Sequence, residues 1–121
     1  MGEYQMGVIE ARFAEIIWKN EPVSSAELAR LAETALGWKK STAYTVLKRL
    51  CGKGIFKNEN GTVTSLISKQ DFYSLQSEKF VEENFKGSLP AFLAAFTARK
   101  ELTAEEVEYL KNLIEGFEEG K

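Results

Sequence analysis

One segment of the chain brings together side chains that can bind phosphate. The stretch WKKSTAYTVLKRLCGKGIFKN, residues 38–58, contains six lysine and arginine residues and neither aspartate nor glutamate. The six are Lys39, Lys40, Lys48, Arg49, Lys53 and Lys57. Because lysine and arginine displace counterions from phosphates, such a segment is typical of a nucleic-acid contact. A solvated helix face is the alternative, and the charge pattern alone leaves both open.

The rest of the chain is acidic. The 121 residues have a formal net charge of −2. Residues 1–37 contain six acids and three bases, and residues 70–121 contain eleven acids and six bases. An acidic body with one basic face is the electrostatic pattern of a protein that binds nucleic acid through that face.

The sequence has few residues that could support catalysis, metal binding or a redox function. The chain has no histidine to act as a general base near neutral pH, and its GKGIF stretch lacks the spacing of a phosphate-binding loop. Its one cysteine, Cys51, excludes an internal disulfide and leaves a soft-metal site without ligands. We interpret Cys51 as a half-buried small hydrophobic residue, with a thiol switch favoured by neighbouring cations as the alternative. We expect no catalytic residue, no metal site and no cofactor.

The sequence also predicts a cytoplasmic protein without membrane insertion. It has no apolar run of about 18 residues. Its start, MGEYQMGVIEARF, lacks the basic and then apolar regions of a secretory signal. A single cysteine fits a reducing compartment.

The first predicted helix precedes the basic segment. Residues 8–18, VIEARFAEIIW, place Ile9 and Phe13 on an inner face at helical spacing and Glu10 on the outer face. Pro22 ends this helix, because the residue before a proline is disfavoured in the α region.

The second predicted helix lies within SSAELARLAETALG. Ser24 is the expected N-cap, and Glu27 three residues later completes a capping box. Gly37 is the expected stop after the last helical turn.

The third predicted helix carries most of the basic segment, from about Ser41 to Gly52. Its apolar residues recur at i, i+3, i+4 and i+7 and are expected in the core: Ala43, Val46, Leu47 and Leu50. The opposite face mixes cations with hydrogen-bonding side chains: Ser41, Thr42, Tyr44, Thr45, Lys48 and Arg49.

A β-hairpin is predicted after this helix. In IFKNENGTVTSLI, Asn60-Gly61 is a strong turn signal between two short strands. Three helices followed by a hairpin form a winged helix-turn-helix, in which the third helix enters the major groove. We expect a mainly α (α+β) fold with this DNA-binding domain over residues 1–69.

Residues 70–121 are predicted to form three helices rich in large apolar side chains. About fifty residues cannot enclose so many aromatics alone. Packing back onto the winged domain is one solution, and we favour a twofold dimer that interleaves these helices. The expected interface residues are Phe80, Phe85, Leu89, Phe92, Leu93, Phe96, Leu110 and Leu113.

Several segments resemble the penicillinase-repressor (BlaI/MecI/CopY) family of bacterial transcription repressors. They are IIWKNEPVSSAEL, W-x-x-S-T-x-x-T-V-L-K-R-L-x-x-K-G, LIS and FKGSLPAFLAAF followed by ELTAEEVEYLKNLI. The resemblance extends from about Ile9 to Ile114. It implies a homodimer whose winged helix binds a pseudo-palindromic operator in double-stranded DNA and blocks transcription.

Pattern and resemblance together give eight candidate DNA contacts. They are Lys39, Lys40, Ser41, Thr42, Tyr44, Thr45, Lys48 and Arg49. We expect Thr45 and Arg49 to contact the groove or its flanks, and Lys48 to clamp phosphate. The stretch Lys39-Lys40-Ser41 stands where the family has Ser-Pro-Lys, so the operator sequence is not carried over.

The resemblance also bears on how repression is relieved. The family's copper-responsive members have C-terminal Cys-x-Cys motifs, which this chain lacks. Its penicillin-responsive members are cleaved between Asn and Phe, and Ala95-Phe96 stands at the matching place. Induction through a membrane sensor and protease is therefore left open as a partner interaction. A winged-helix scaffold that binds protein instead of specific DNA is the alternative function.

Overall fold

The computed structural model describes residues 5–119, with side chains as far as Glu118. Its elements follow in the order α1 (Val8–Asn20), β1 (Val23–Ser24), α2 (Ser25–Leu36), α3 (Lys40–Gly52), β2 (Phe56–Glu59), β3 (Thr62–Ser65), α4 (Lys69–Phe85), α5 (Leu89–Thr97) and α6 (Ala104–Glu119). This confirms the mainly α fold class with a winged helix-turn-helix followed by helices. The chain divides into two compact units, and the division falls within α4, after Glu78.

Helix α1 supplies one wall of the core of the first unit. Phe13 and Ile17 are fully buried, and the helix ends at Asn20, because the backbone of Glu21 is extended before Pro22. The predicted faces were wrong at its first turn, where Ile9 is 54% exposed and Glu10 is only 7% exposed. The reason is that the Glu10 carboxylate pairs with Arg49 on α3 and with Lys53 just after it, and these interactions offset the cost of burying a charge.

Helix α2 begins and ends where the sequence predicts. The Ser24 Oγ accepts a hydrogen bond from the Glu27 backbone N–H at 3.0 Å. The predicted capping box is only half realised, because the Glu27 carboxylate accepts hydrogen bonds from Arg30. Gly37 adopts a φ of +70° and its N–H donates to the carbonyls of Ala32 and Glu33, a conformation that glycine favours.

Helix α3 packs into the core through the predicted positions. Its buried residues are Ala43, Val46, Leu47 and Leu50. This stripe fixes the rotation of α3 about its axis, and hence which side chains it presents outward.

The wing is a hairpin of β2 and β3 with a two-residue turn. Asn60 and Gly61 have φ angles of +54° and +85°, as a turn with two left-handed residues requires. Strand β3 also pairs with β1, giving the order β1-β3-β2 in an antiparallel sheet. Strand β1 was not predicted, since its two residues carry no periodic signal. The Glu21 carboxylate fastens β3 to the end of α1 by accepting from the Ser65 N–H and Oγ–H at 2.7 and 2.9 Å.

Trp18 joins the wing and the start of α4 to the core. Its indole packs on Phe56 and Phe72, with ring centroids 5.1 and 5.6 Å apart, and its Nε1–H donates to the Ile67 carbonyl at 3.0 Å. Phe72 is 2% exposed, so the first turns of α4 belong to this core.

The second unit contains the end of α4, α5 and α6. Ser88 caps α5, and Thr103 forms a capping box with Glu106 at the start of α6. None of its described residues is buried. Within residues 5–119, no helix is long and apolar enough to cross a bilayer.

Candidate nucleic-acid interface and apolar surface

The eight candidate DNA contacts lie together at the start and along one side of α3. Lys39 is the N-cap residue, and the other seven belong to the helix. All are exposed except Tyr44, which is half-buried. We call these eight residues the α3 polar face. Its cations combine with the positive end of the helix dipole near Lys39 and Lys40, so this end of α3 favours negative charge.

Ion pairs divide the six cations of the basic segment into two groups. Lys53 Nζ lies 2.7 Å from Glu10 Oε1, Arg49 Nη1 lies 3.3 Å from Glu10 Oε2, and Lys57 Nζ lies 3.3 Å from an oxygen of Glu59. In residues 5–118, no carboxylate pairs with Lys39, Lys40 or Lys48. The lysines left unneutralised are therefore those of the α3 polar face.

Glu10 is the acid that the sequence analysis placed on the wrong face of α1. Burial raises the pKa of its carboxyl, but hydrogen bonds from Lys53, the Gly7 N–H and Arg49 outweigh this effect, and the pKa lies below its ordinary value. Its position three residues after Gly7 is a local capping signal that could have been read. Its pairing with α3 has no local signal.

Lys53 is the cation of the segment that turns inward. Its side chain is 24% exposed, and Nζ also donates to the Gln5 carbonyl at 2.6 Å. Arg49, by contrast, is 53% exposed and keeps most of its guanidinium donors outside the pair with Glu10. Of the two neighbouring cations, Arg49 is the one placed to contact a ligand.

Cys51 fits the interpretation as a small packing residue. It is half-buried, and burial raises the pKa of its thiol. A raised pKa disfavours the thiolate that a thiol switch needs. No group of three or more acidic or cysteine residues in the described part of the chain could hold a metal ion.

The second unit presents a cluster of aromatic rings centred on Phe92. Its ring centroid lies 5.5 Å from that of Phe85 and 6.1 Å from those of Phe80 and Phe96. A groove of about 470 Å³ runs beside this cluster. Its lining residues are Phe92, Leu93, Phe96, Leu102, Glu105, Glu106, Tyr109 and Leu110.

Four of the eight expected interface residues line this groove, namely Phe92, Leu93, Phe96 and Leu110, and the rings of Phe80 and Phe85 pack against that of Phe92. Leu89 and Leu113 do not line it, and both are about half exposed on the same unit. Tyr109 lines the groove although the sequence analysis did not select it, because one tyrosine within an acidic stretch gives no interface signal. Ala95 and Phe96 lie inside helix α5.

Comparison with known proteins gives consistent matches over almost the whole chain. A family model described as penicillinase repressor matches residues 6–116. The penicillinase repressor of Bacillus licheniformis is 25% identical over 115 residues, which cover 92% of this chain and 90% of that protein. The methicillin resistance regulatory proteins MecI of Mammaliicoccus sciuri and Staphylococcus aureus are each 24% identical over 115 residues, covering 92% of this chain and 94% of theirs.

Proposed function

The chain belongs to the penicillinase repressor family, and from this premise we propose that it binds a pseudo-palindromic DNA operator as a homodimer. Members of this family are regulatory DNA-binding repressors and not enzymes, so the chain is a transcriptional repressor of this type. The observation that carries the proposal is the α3 polar face, with three lysines that no described carboxylate neutralises on a protein of net charge −2.

The α3 polar face is proposed to enter the major groove. Thr45 and Arg49 lie along the exposed side of the helix and suit contacts with base edges or their flanks. Lys48 and the two lysines at the start of α3 suit phosphate, which positions a protein on DNA without reading its sequence. The wing is proposed to contribute little to DNA affinity, because its turn and β3 contain no lysine or arginine.

Self-association is proposed to occur through the second unit. Phe80, Leu89 and Phe96 are each about half exposed there. A second copy of the chain could cover these side chains by an isologous contact. Two α3 helices held about one DNA turn apart would then read an inverted repeat, whereas one helix reads only a few base pairs.

Selection of duplexes from a random DNA pool tests the proposal. The purified full-length chain is used at moderate salt, and bound duplexes are amplified and sequenced through several rounds. We expect an inverted repeat with half-sites about one turn apart. Weak, salt-labile binding without any enriched sequence would contradict the proposal and favour the protein-binding scaffold.

A further inference from the structure

A buried carboxylate lies behind the outward face of α3 and holds one of its candidate DNA contacts. The two oxygens of Glu10 have different partners. Oε1 accepts hydrogen bonds from Lys53 Nζ at 2.7 Å and from the Gly7 N–H at 3.1 Å. Oε2 lies 3.3 Å from Arg49 Nη1. The carboxylate is thus anchored from one side and offers its other oxygen to Arg49.

The three charged side chains of this cluster differ in exposure, and only that of Arg49 is largely open to solvent. Glu10 has a side chain that is 9% exposed, that of Lys53 is 24% exposed, and that of Arg49 is 53% exposed. An arginine side chain has many rotamers, and ordering it at an interface opposes binding. A fixed acceptor that engages one of its nitrogens reduces this cost and leaves the remaining donors available for a bidentate contact.

We propose that Glu10 is a positioning residue for DNA recognition, which holds the Arg49 guanidinium in the orientation that reads a base edge. This inference rests on the proposed binding of an operator by α3. Glu10 also neutralises one of the two cations that it contacts, so it lowers attraction to DNA of any sequence. Its loss should therefore have opposite effects on operator and non-operator DNA.

The test is the ratio of affinities for the selected operator and a scrambled duplex, measured for the full chain and the Glu10→Gln variant. Glutamine keeps the size of the side chain and an oxygen that can accept from Gly7, so the cap of α1 is retained. We expect the scrambled duplex to bind the Glu10→Gln variant at least as tightly as it binds the wild type. The ratio is expected to fall by at least about fivefold, the lower end of the discrimination given by a bidentate base contact.

Glu15→Gln is the matched control. Glu15 lies on the same helix and pairs with Lys69 at 2.7 Å. Glu15→Gln therefore also removes one negative charge, but at a site that does not pair with the cations of α3. Its affinity ratio should equal that of the wild type. A combined Glu10→Gln and Arg49→Ala variant should have the ratio of Arg49→Ala alone, because Glu10 acts through Arg49.

Three outcomes would overturn the inference while leaving the proposed function intact. They are an unchanged ratio in Glu10→Gln, an equal fall in Glu15→Gln, and a further fall when Glu10→Gln is added to Arg49→Ala. A wild-type ratio near one would instead overturn the proposed function.

A measurement on the wild-type chain keeps the inference testable should Glu10→Gln fail to fold. NMR relaxation of the arginine Nε–H groups without DNA reports their motion on the picosecond to nanosecond scale. Arg49 is expected to have a higher order parameter than the exposed Arg99. Equal order parameters would mean that Glu10 does not hold the guanidinium.

Discussion

The ion pairs of the basic segment set how strongly DNA binding should depend on salt. The segment carries six cations, and Glu10 and Glu59 each neutralise one positive charge. Four net positive charges per protomer then remain. For a dimer that places all of them near phosphates, the logarithm of the binding constant should fall with the logarithm of salt concentration with a slope of about −7.

Fluorescence anisotropy of a labelled operator duplex, titrated with protein at several potassium chloride concentrations, measures this slope. Between about 50 and 200 mM salt, the predicted loss of affinity is about 10⁴-fold. If all six cations contacted phosphate and the three ion pairs with Glu10 and Glu59 opened on binding, the slope would approach about −11 instead. The two values are far enough apart for the experiment to decide between them.

Single substitutions assign the slope to particular lysines. Lys48→Gln should make the slope shallower by about 2, because a dimer loses two phosphate contacts. Lys111→Gln, on α6, should leave it unchanged. A slope near −11 would refute the claim that Glu10 and Glu59 each neutralise one positive charge in the complex with DNA. A slope that Lys48→Gln leaves unchanged would refute the assignment of Lys48 to phosphate.

Three further predictions concern self-association, pH and the wing. Phe92→Asp places a charge at the centre of the aromatic cluster and should give a monomer by light scattering while unit one stays folded; a persistent dimer would contradict the interface. Because the folded-state pKa of Glu10 lies below its unfolded value, its stabilising contribution is present above that value and is lost as pH falls through the folded pKa. Thermal melts at pH 7 and pH 3.5 should therefore show a larger acid-induced fall in melting temperature for wild type than for Glu10→Gln. Equal falls would contradict a stabilising contribution of the Glu10 carboxylate. Gly61→Val forces a β-branched residue to a φ of +85° and should lower the free energy of unfolding by about 1–2 kcal/mol in urea titrations. Gly52→Ala, where an added Cβ meets open space, should cost nothing, and equal effects of the two changes would refute the role of turn geometry.

The elements that carry local signals were predictable from the sequence. The apolar stripe of α3 gave its buried face, and Asn60-Gly61 gave the turn of the wing. Ser24 and Gly37 likewise marked the two ends of α2 through their own backbone and side-chain hydrogen bonds. Each of these features depends on residues within a few positions of one another.

Features that depend on distant residues were not predictable in the same way. Glu10 is buried because Lys53, 43 positions later, reaches its carboxylate, and the helical spacing alone placed it outside. Strand β1 exists because β3 pairs with it, and its two residues carry no pattern. The proposed role of the aromatic cluster around Phe92 also lies beyond local pattern, since it would require a second chain. The eight candidate DNA contacts and the eight interface residues therefore stay predictions about partners.

The most direct test of the central claim is a methylation-protection footprint of the selected operator, combined with the stoichiometry of the complex by analytical ultracentrifugation. A dimeric repressor should give two chains per duplex and protect major-groove guanines in two stretches whose centres lie about ten base pairs apart. In Arg49→Ala, protection of the guanines next to Arg49 should be lost. One chain per duplex, or a single protected stretch, would contradict a dimeric repressor that reads DNA through two α3 helices.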